Sequence, residues 1–253
     1  MPHRPSAPPV QIIEMEGIRY LHLGGTSVQS AMRLQAPYAL ELEYTRAMMG
    51  FLLFHPAPRQ IGLIGLGGGS LAKFIHRHLP ESQLTVVEIH PEVIATARTW
   101  FKLPADDEQL QVLQGDGAAY VRAHPDSLDV LLVDGFDAED IAVALTTQKF
   151  YRACSAALRP GGVAVFNLWG SDPYFSRYYR QLAHAFDGHT LLLPAVEKAN
   201  VVAFAFRNPL PDTGFAHLAG QAEQLEHAYG LEFDDFLVRM GECNSCSEQG
   251  FLI

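Results

Sequence analysis

The sequence predicts an α/β fold: a doubly wound, seven-stranded, mostly parallel sheet with a short N-terminal β-hairpin appendage. Three observations carry this. Short continuous apolar runs, the signature of strands buried on both faces, alternate with amphipathic helical stretches from residue 60 to residue 206. The run Ile61-Gly62-Leu63-Ile64 empties into Gly65, Gly67, Gly68 and Gly69 and then into the amphipathic stretch Leu71 to Leu79, which reads as strand, tight turn, helix. The alternation ends in a hairpin-like pair, His189 to Val196 and Ala199 to Phe206.

Taken in order, residues 1–11 are proline-rich and are expected to be extended or disordered. Residues 12–36 alternate around Gly24-Gly25 and read as a small β appendage. Leu40, Tyr44, Ala47, Met48, Phe51 and Leu52 fall at helical spacing, so a helix is expected over 37–53, opening the main Rossmann-like domain, which runs to residue 210. Leu84 to Glu88 is a second strand, Pro91 starts a helix in a favoured first-turn position, and Leu110 to Leu113 is a third strand running into Gly115-Asp116-Gly117. A short helix, Ala118 to Ala123, precedes the buried strand Leu128 to Val133. A helix from Thr147 to Leu158, a turn at Arg159 to Gly162, a strand from Val163 to Leu168 and a helix from Tyr174 to Phe186 continue the pattern. Residues 211–253 read as a tail with one or two helices.

At 253 residues and 48% hydrophobic content, the chain can bury a full core. It has no apolar run of membrane-spanning length and no signal-peptide pattern, so a cytoplasmic protein without a membrane partner is expected. A net charge of −10 argues against a duplex nucleic-acid partner and favours a small cationic substrate. Cys154 falls in a helical pattern, while Cys243-Asn244-Ser245-Cys246 lacks a second ligand pair and reads as two reduced surface thiols.

Glu88 ends its strand 19 residues after Gly69, the spacing at which an acid reaches ribose hydroxyls. Glycines plus this acid point to an adenosine-containing cofactor, and NAD and S-adenosylmethionine enzymes share the arrangement. Asp134, Asp137, Glu139 and Asp140 place four carboxylates in seven residues after a buried strand. Their mutual repulsion suits an incoming cation, an amine or a metal. With no histidine at ligand spacing, no metal is expected.

Gly65 to Ser70, Val87-Glu88-Ile89, Gly115-Asp116-Gly117 and Asp134-x-x-Asp137 together resemble the spermidine/spermine synthase family, the polyamine aminopropyltransferases, over residues 26 to 206. That family shares the Rossmann-like sheet of class I S-adenosylmethionine methyltransferases. The resemblance implies a donor, decarboxylated S-adenosylmethionine, at the Gly65, Gly67 and Gly69 loop. Glu88 would bind its ribose, and Asp116, with the Gly117 backbone, its adenine. It implies Asp134 as base, Asp137 as amine binder, Gln29 and Tyr44 as further substrate contacts, and a polyamine such as putrescine as acceptor; separately, the short β appendage and the apolar tail point to a homodimer. Gly68 stands where the family has an aspartate for the donor amine, and Tyr44-Thr45-Arg46 replaces a tyrosine-histidine-glutamate string. No proline follows Asp137, and the N-terminal β region is short. The loss at Gly68 keeps a second reading open, an S-adenosylmethionine-dependent methyltransferase acting on a small acceptor. A third is a silent nucleoside-binding module.

Overall fold

In the computed structural model the described residues are 9–25, 27–135, 143–196, 199–210, 214–247 and 250–253. Strand β1 (Val10–Met15) pairs antiparallel with β2 (Ile18–Leu23) across Glu16 and Gly17, whose φ values of 53° and 78° are those of a type I′ hairpin turn. Strand β3 (Val28–Arg33) then adds to β2. The appendage is therefore three-stranded and starts at Val10, where the residue pattern predicts a single hairpin from residue 12. The extra turn carries no local sequence signal, because a glutamate rarely takes positive φ. Leu21 and Met32 seat this sheet on Phe101.

Ala36 N donates to Arg33 O and Ala39 N to Ala36 O, so the backbone after β3 spends its bonds on tight turns. Helix α1 consequently covers only Glu43–Met48 and tightens into a 3₁₀ stretch at Met49–Leu53, rather than spanning 37–53. From there strands and helices alternate: β4 (Gln60–Ile64), α2 (Ser70–His78), β5 (Gln83–Glu88), α3 (Pro91–Trp100), β6 (Leu110–Gln114), α4 (Gly117–Ala123), β7 (Leu128–Val133). Helix α5 (Gln148–Ala157) starts where the Thr147 side chain caps Phe150 N, a contact that contributes about 1 kcal/mol. Strand β8 (Leu158–Trp169) is longer than its apolar core. It is irregular where Leu158 faces Leu128 but Val163 faces Val130. Helix α6 (Phe175–Ala185), β9 (Thr190–Pro194), β10 (Asn200–Phe206), α7 (Gly214–Tyr229) and α8 (Phe233–Cys243) follow. The pair β11 (Cys246–Ser247) and β12 (Gly250–Phe251), too short to read from sequence, closes the chain.

Among the described residues the central sheet has seven strands in the order β6-β5-β4-β7-β8-β10-β9, parallel from β6 to β8, with β10 antiparallel to both neighbours. Alternate residues of β7 serve opposite faces. Val130 and Leu132 pack in the core under α1, α2, α3, α7 and α8, whereas Leu131 and Val133 pack in the core under α4, α5 and α6. This two-sided burial is why the central parallel strands β4 and β7 are apolar over residues 61–64 and 130–133. Chain order reverses between β4 and β7, and that switch point opens a crevice at the carboxyl edge. No helix among the described residues is long and apolar enough to cross a membrane.

Helix α2 carries a buried cation. Lys73 on α2 is 1% exposed and donates Nζ to Phe101 O at 2.8 Å; burial, and secondarily the charge of Lys102, pushes its pKa down to about 8. Between that value and the ordinary 10.5 the unfolded chain holds a proton that the fold has released, so stability rises with pH across this window. Below it the buried charge costs the fold roughly 3 kcal/mol. Lys73→Met is expected to abolish the rise, as measured by denaturant unfolding at pH 7 and pH 10; an unchanged rise would contradict the assignment.

Candidate active site

The crevice is a cleft of about 450 Å³. Of the residues singled out from sequence, Gln29, Gly65, Gly67, Glu88, Asp116, Gly117 and Asp134 all border it. Tyr44 borders a small side chamber shared with Gln29 and Asp134. Gly69 does not border the cleft: it is the N-cap of α2 with φ 73°, and a Cβ there would lie 2.8 Å from Leu103. Asp137, with Glu139 and Asp140, lies outside the described residues.

Each wall follows from local sequence. Gly65 has φ 89°, and a Cβ on it would lie 2.1 Å from Asp134 O, so only glycine lets the ends of β4 and β7 meet. Glu88, at the end of β5, is 7% exposed; its Oε2 accepts from Leu66 N and its Oε1 from His90 N, both at 2.9 Å. Those bonds hold the carboxylate rigidly and leave each oxygen a further lone pair for a vicinal diol. Asp116 caps α4 through Oδ1, which accepts from Ala118 N at 2.7 Å and Ala119 N at 3.2 Å. Its Oδ2 is not used by the cap. Gly117 is needed for packing, since a Cβ would lie 2.4 Å from Ile64.

Asp134 follows the last residue of β7. Asn167 Nδ2 on β8 donates to its Oδ1 at 2.8 Å, and Tyr44 Oη on α1 donates to its Oδ2 at 3.2 Å. Burial pushes the Asp134 carboxyl above the ordinary carboxylate value, the nearby Glu88 charge adds to this, and the two donors oppose it. Tyr44 is pushed well above its usual value, by burial first and by Asp134 second, so it stays a donor. The result is a half-buried carboxylate with one donor on each oxygen. Asn167 was not singled out from sequence, although a polar residue inside the apolar run Val163 to Leu168 was its signal.

Cys154 is buried, and burial pushes its thiol up. Cys243 and Cys246 are free and exposed, and Cys243 Sγ donates to Leu192 O and Arg239 O, each at 3.0 Å. Among the described residues no group of three or more His, Cys, Asp or Glu is placed to hold a metal.

Fold and cleft together define a class, the doubly wound α/β proteins that take a nucleoside at their switch point. A family model described as the spermine/spermidine synthase domain matches residues 41–188. A polyamine aminopropyltransferase of Chromobacterium violaceum is 43% identical over 246 residues, covering 97% of this chain and 94% of that protein. A probable spermidine synthase from Corynebacterium glutamicum superposes with a TM-score of 0.71 at 21% identity, covering 86% of this chain and 83% of that one. A spermidine synthase solved with the transition state analogue AdoDATO superposes with a TM-score of 0.64 at 19% identity, over 92% and 85% of the two chains. The chain belongs to the spermine/spermidine synthase family.

Gly68, where the resemblance leads one to expect an aspartate, is closed off. A Cβ there would lie 2.7 Å from both Phe101 Cδ1 and Ser30 Oγ. Gly68→Asp is therefore expected to lower the melting temperature by several degrees without tightening nucleoside binding, the overpacking costing about 1–3 kcal/mol. Calorimetry with methylthioadenosine checks this, and tighter binding at unchanged stability would contradict it.

Proposed function

We infer that the chain is a transferase that moves an aminopropyl group from decarboxylated S-adenosylmethionine to a polyamine, putrescine being the first acceptor to test. The single observation that carries the chemistry is Asp134, a half-buried carboxylate held by one donor on each oxygen at the edge of a nucleoside-sized cleft. Its family and its aminopropyltransferase relatives support this reaction over methyl transfer.

The donor is a sulfonium, so it already carries its leaving group, and transfer needs only alignment and a neutral amine. An alkyl ammonium near pKa 10 must first lose a proton. Asp134 takes that proton, and its raised affinity for protons brings it closer to the amine than an exposed carboxylate would be. The freed nitrogen then forms its bond to the aminopropyl carbon as the carbon–sulfur bond breaks, its electron pair staying on sulfur. In this reading Glu88 holds the ribose and Asp116 Oδ2 the adenine amino group. Tyr44 and Gln29 border the acceptor side, and Asp137 takes the distal ammonium. The net charge of −10 favours such a cationic acceptor. A homodimer in the cytoplasm completes the reading, with Ile13 (48% exposed) and Met15 (58% exposed) on β1 as the apolar face for a second copy.

Incubation of the purified protein with decarboxylated S-adenosylmethionine and putrescine is expected to release methylthioadenosine and spermidine in equal amounts. Release of S-adenosylhomocysteine from intact S-adenosylmethionine, with no methylthioadenosine from any amine, would overturn the reading.

A further inference from the structure

The base is held from behind by something the proposed chemistry does not itself call for. Asn167 on β8 is 4% exposed and Asn200 on β10 is 5% exposed. The strands are antiparallel neighbours, with Asn167 opposite Val202 and Asn200 opposite Trp169, which sets the two amides diagonally on one face. Asn200 Nδ2 donates to Asn167 Oδ1 at 2.9 Å, and Asn167 Nδ2 donates to Asp134 Oδ1 at 2.8 Å. We propose that Asn200 and Asn167 form a one-way relay of amide hydrogen bonds that holds the Asp134 carboxylate in its working orientation, which makes both asparagines positioning residues for the base. The proposal rests on Asp134 being the base in the reading above.

The direction of the relay follows from chemistry. An ionised carboxylate only accepts, so Asn167 must turn its Nδ2 toward Asp134, which leaves its Oδ1 facing away. At that depth an unpartnered oxygen is costly, and the amide could flip to satisfy it, setting oxygen against carboxylate. Asn200 removes that option by donating to Oδ1. The other groups facing Asp134 among the described residues are the Tyr44 hydroxyl from α1, which holds Oδ2, and the Glu88 carboxylate at the end of β5. Neither is hydrogen-bonded to Oδ1, where among the described residues Asn167 is the donor.

The test is the pH profile of kcat at saturating substrates. Losing one donor should move its acid limb up by about one pH unit in Asn167→Leu, and by roughly half a unit in Asn200→Ala. KM for the donor should stay within about twofold in both. Because Asn200 acts through Asn167, the double variant Asn167→Leu/Asn200→Ala should match Asn167→Leu. Asn200→Asp, nearly isosteric, guards against misfolding of the smaller side chain. Its carboxylate accepts where the amide donated, turns Asn167 away from Asp134, and should shift the limb the same way. The carboxyl carbon-13 resonance of Asp134, identified by its loss in Asp134→Asn, reads the same shift without turnover. Folded Asn200 variants with the wild-type limb and wild-type titration, or additive effects in the double variant, would overturn the relay. A wild-type protein that releases no methylthioadenosine while its Asp134 resonance still moves in the variants would sink the aminopropyl reading and leave the relay standing.

Discussion

Replacing Asp134 with asparagine is expected to lower kcat by about 10³-fold, the usual contribution of a positioned general base. KM for the donor should change by no more than about threefold, because Glu88 and Asp116, the proposed ribose and adenine contacts, lie elsewhere in the cleft. The substitution is close to isosteric: the new amide oxygen still accepts from Asn167, and the new amide nitrogen can donate to the Tyr44 oxygen. Stability should move the other way. Burial raises the pKa of Asp134, so at pH values between the ordinary and the raised value the fold holds a proton that the unfolded chain has lost. Stability therefore falls as pH rises through that window, and above it the fold carries the cost of a desolvated charge. Asp134→Asn removes that cost, so the variant should melt at or above the wild-type temperature at pH 7. A kcat within tenfold of wild type, or a sharp fall in melting temperature, would remove Asp134 from the role of base.

Glu88→Ala is expected to raise KM for the donor by about 10²-fold, or roughly 3 kcal/mol, with kcat changed by less than about fivefold. Two effects combine. The diol loses charged acceptors, and Leu66 N and His90 N lose the carboxylate that ties the glycine loop to the end of β5. Glu88→Gln keeps the shape but places an NH₂ on one of those backbone donors, so an intermediate loss is expected. Initial-rate kinetics over a range of donor concentrations check both variants. An unchanged KM in Glu88→Ala would contradict the assignment of the ribose to this edge.

Much of this arrangement was legible in the residues because strands buried on both faces write continuous apolar runs. Ile61 to Ile64 and Leu128 to Val133 read as strands, and the residues at their carboxyl ends, Gly65 and Asp134, meet as the alternation implies. Glu88 was legible because an acid at the end of an apolar strand, at a set distance from a glycine loop, is a local pattern. The roles of individual glycines were not. Gly69 shares a loop with Gly65 and Gly117 belongs to the Gly115-Asp116-Gly117 string, yet Leu103 and Ile64 decide them, and those contacts depend on tertiary packing. Asn167 and Asn200 lie 33 residues apart on strands whose register no local pattern reveals, so their bond became visible only with the sheet assembled. The type I′ turn at Glu16-Gly17 was missed because local propensity points away from it, and pairing across β1 and β2 overrides it.

Crystals grown with methylthioadenosine and putrescine test the central claim most directly. The account predicts the ribose hydroxyls on Glu88, the adenine amino group on Asp116 Oδ2, and a putrescine nitrogen within hydrogen-bond distance of Asp134. A nucleoside bound away from the β4–β7 switch point, or an amine that bypasses Asp134, would contradict it.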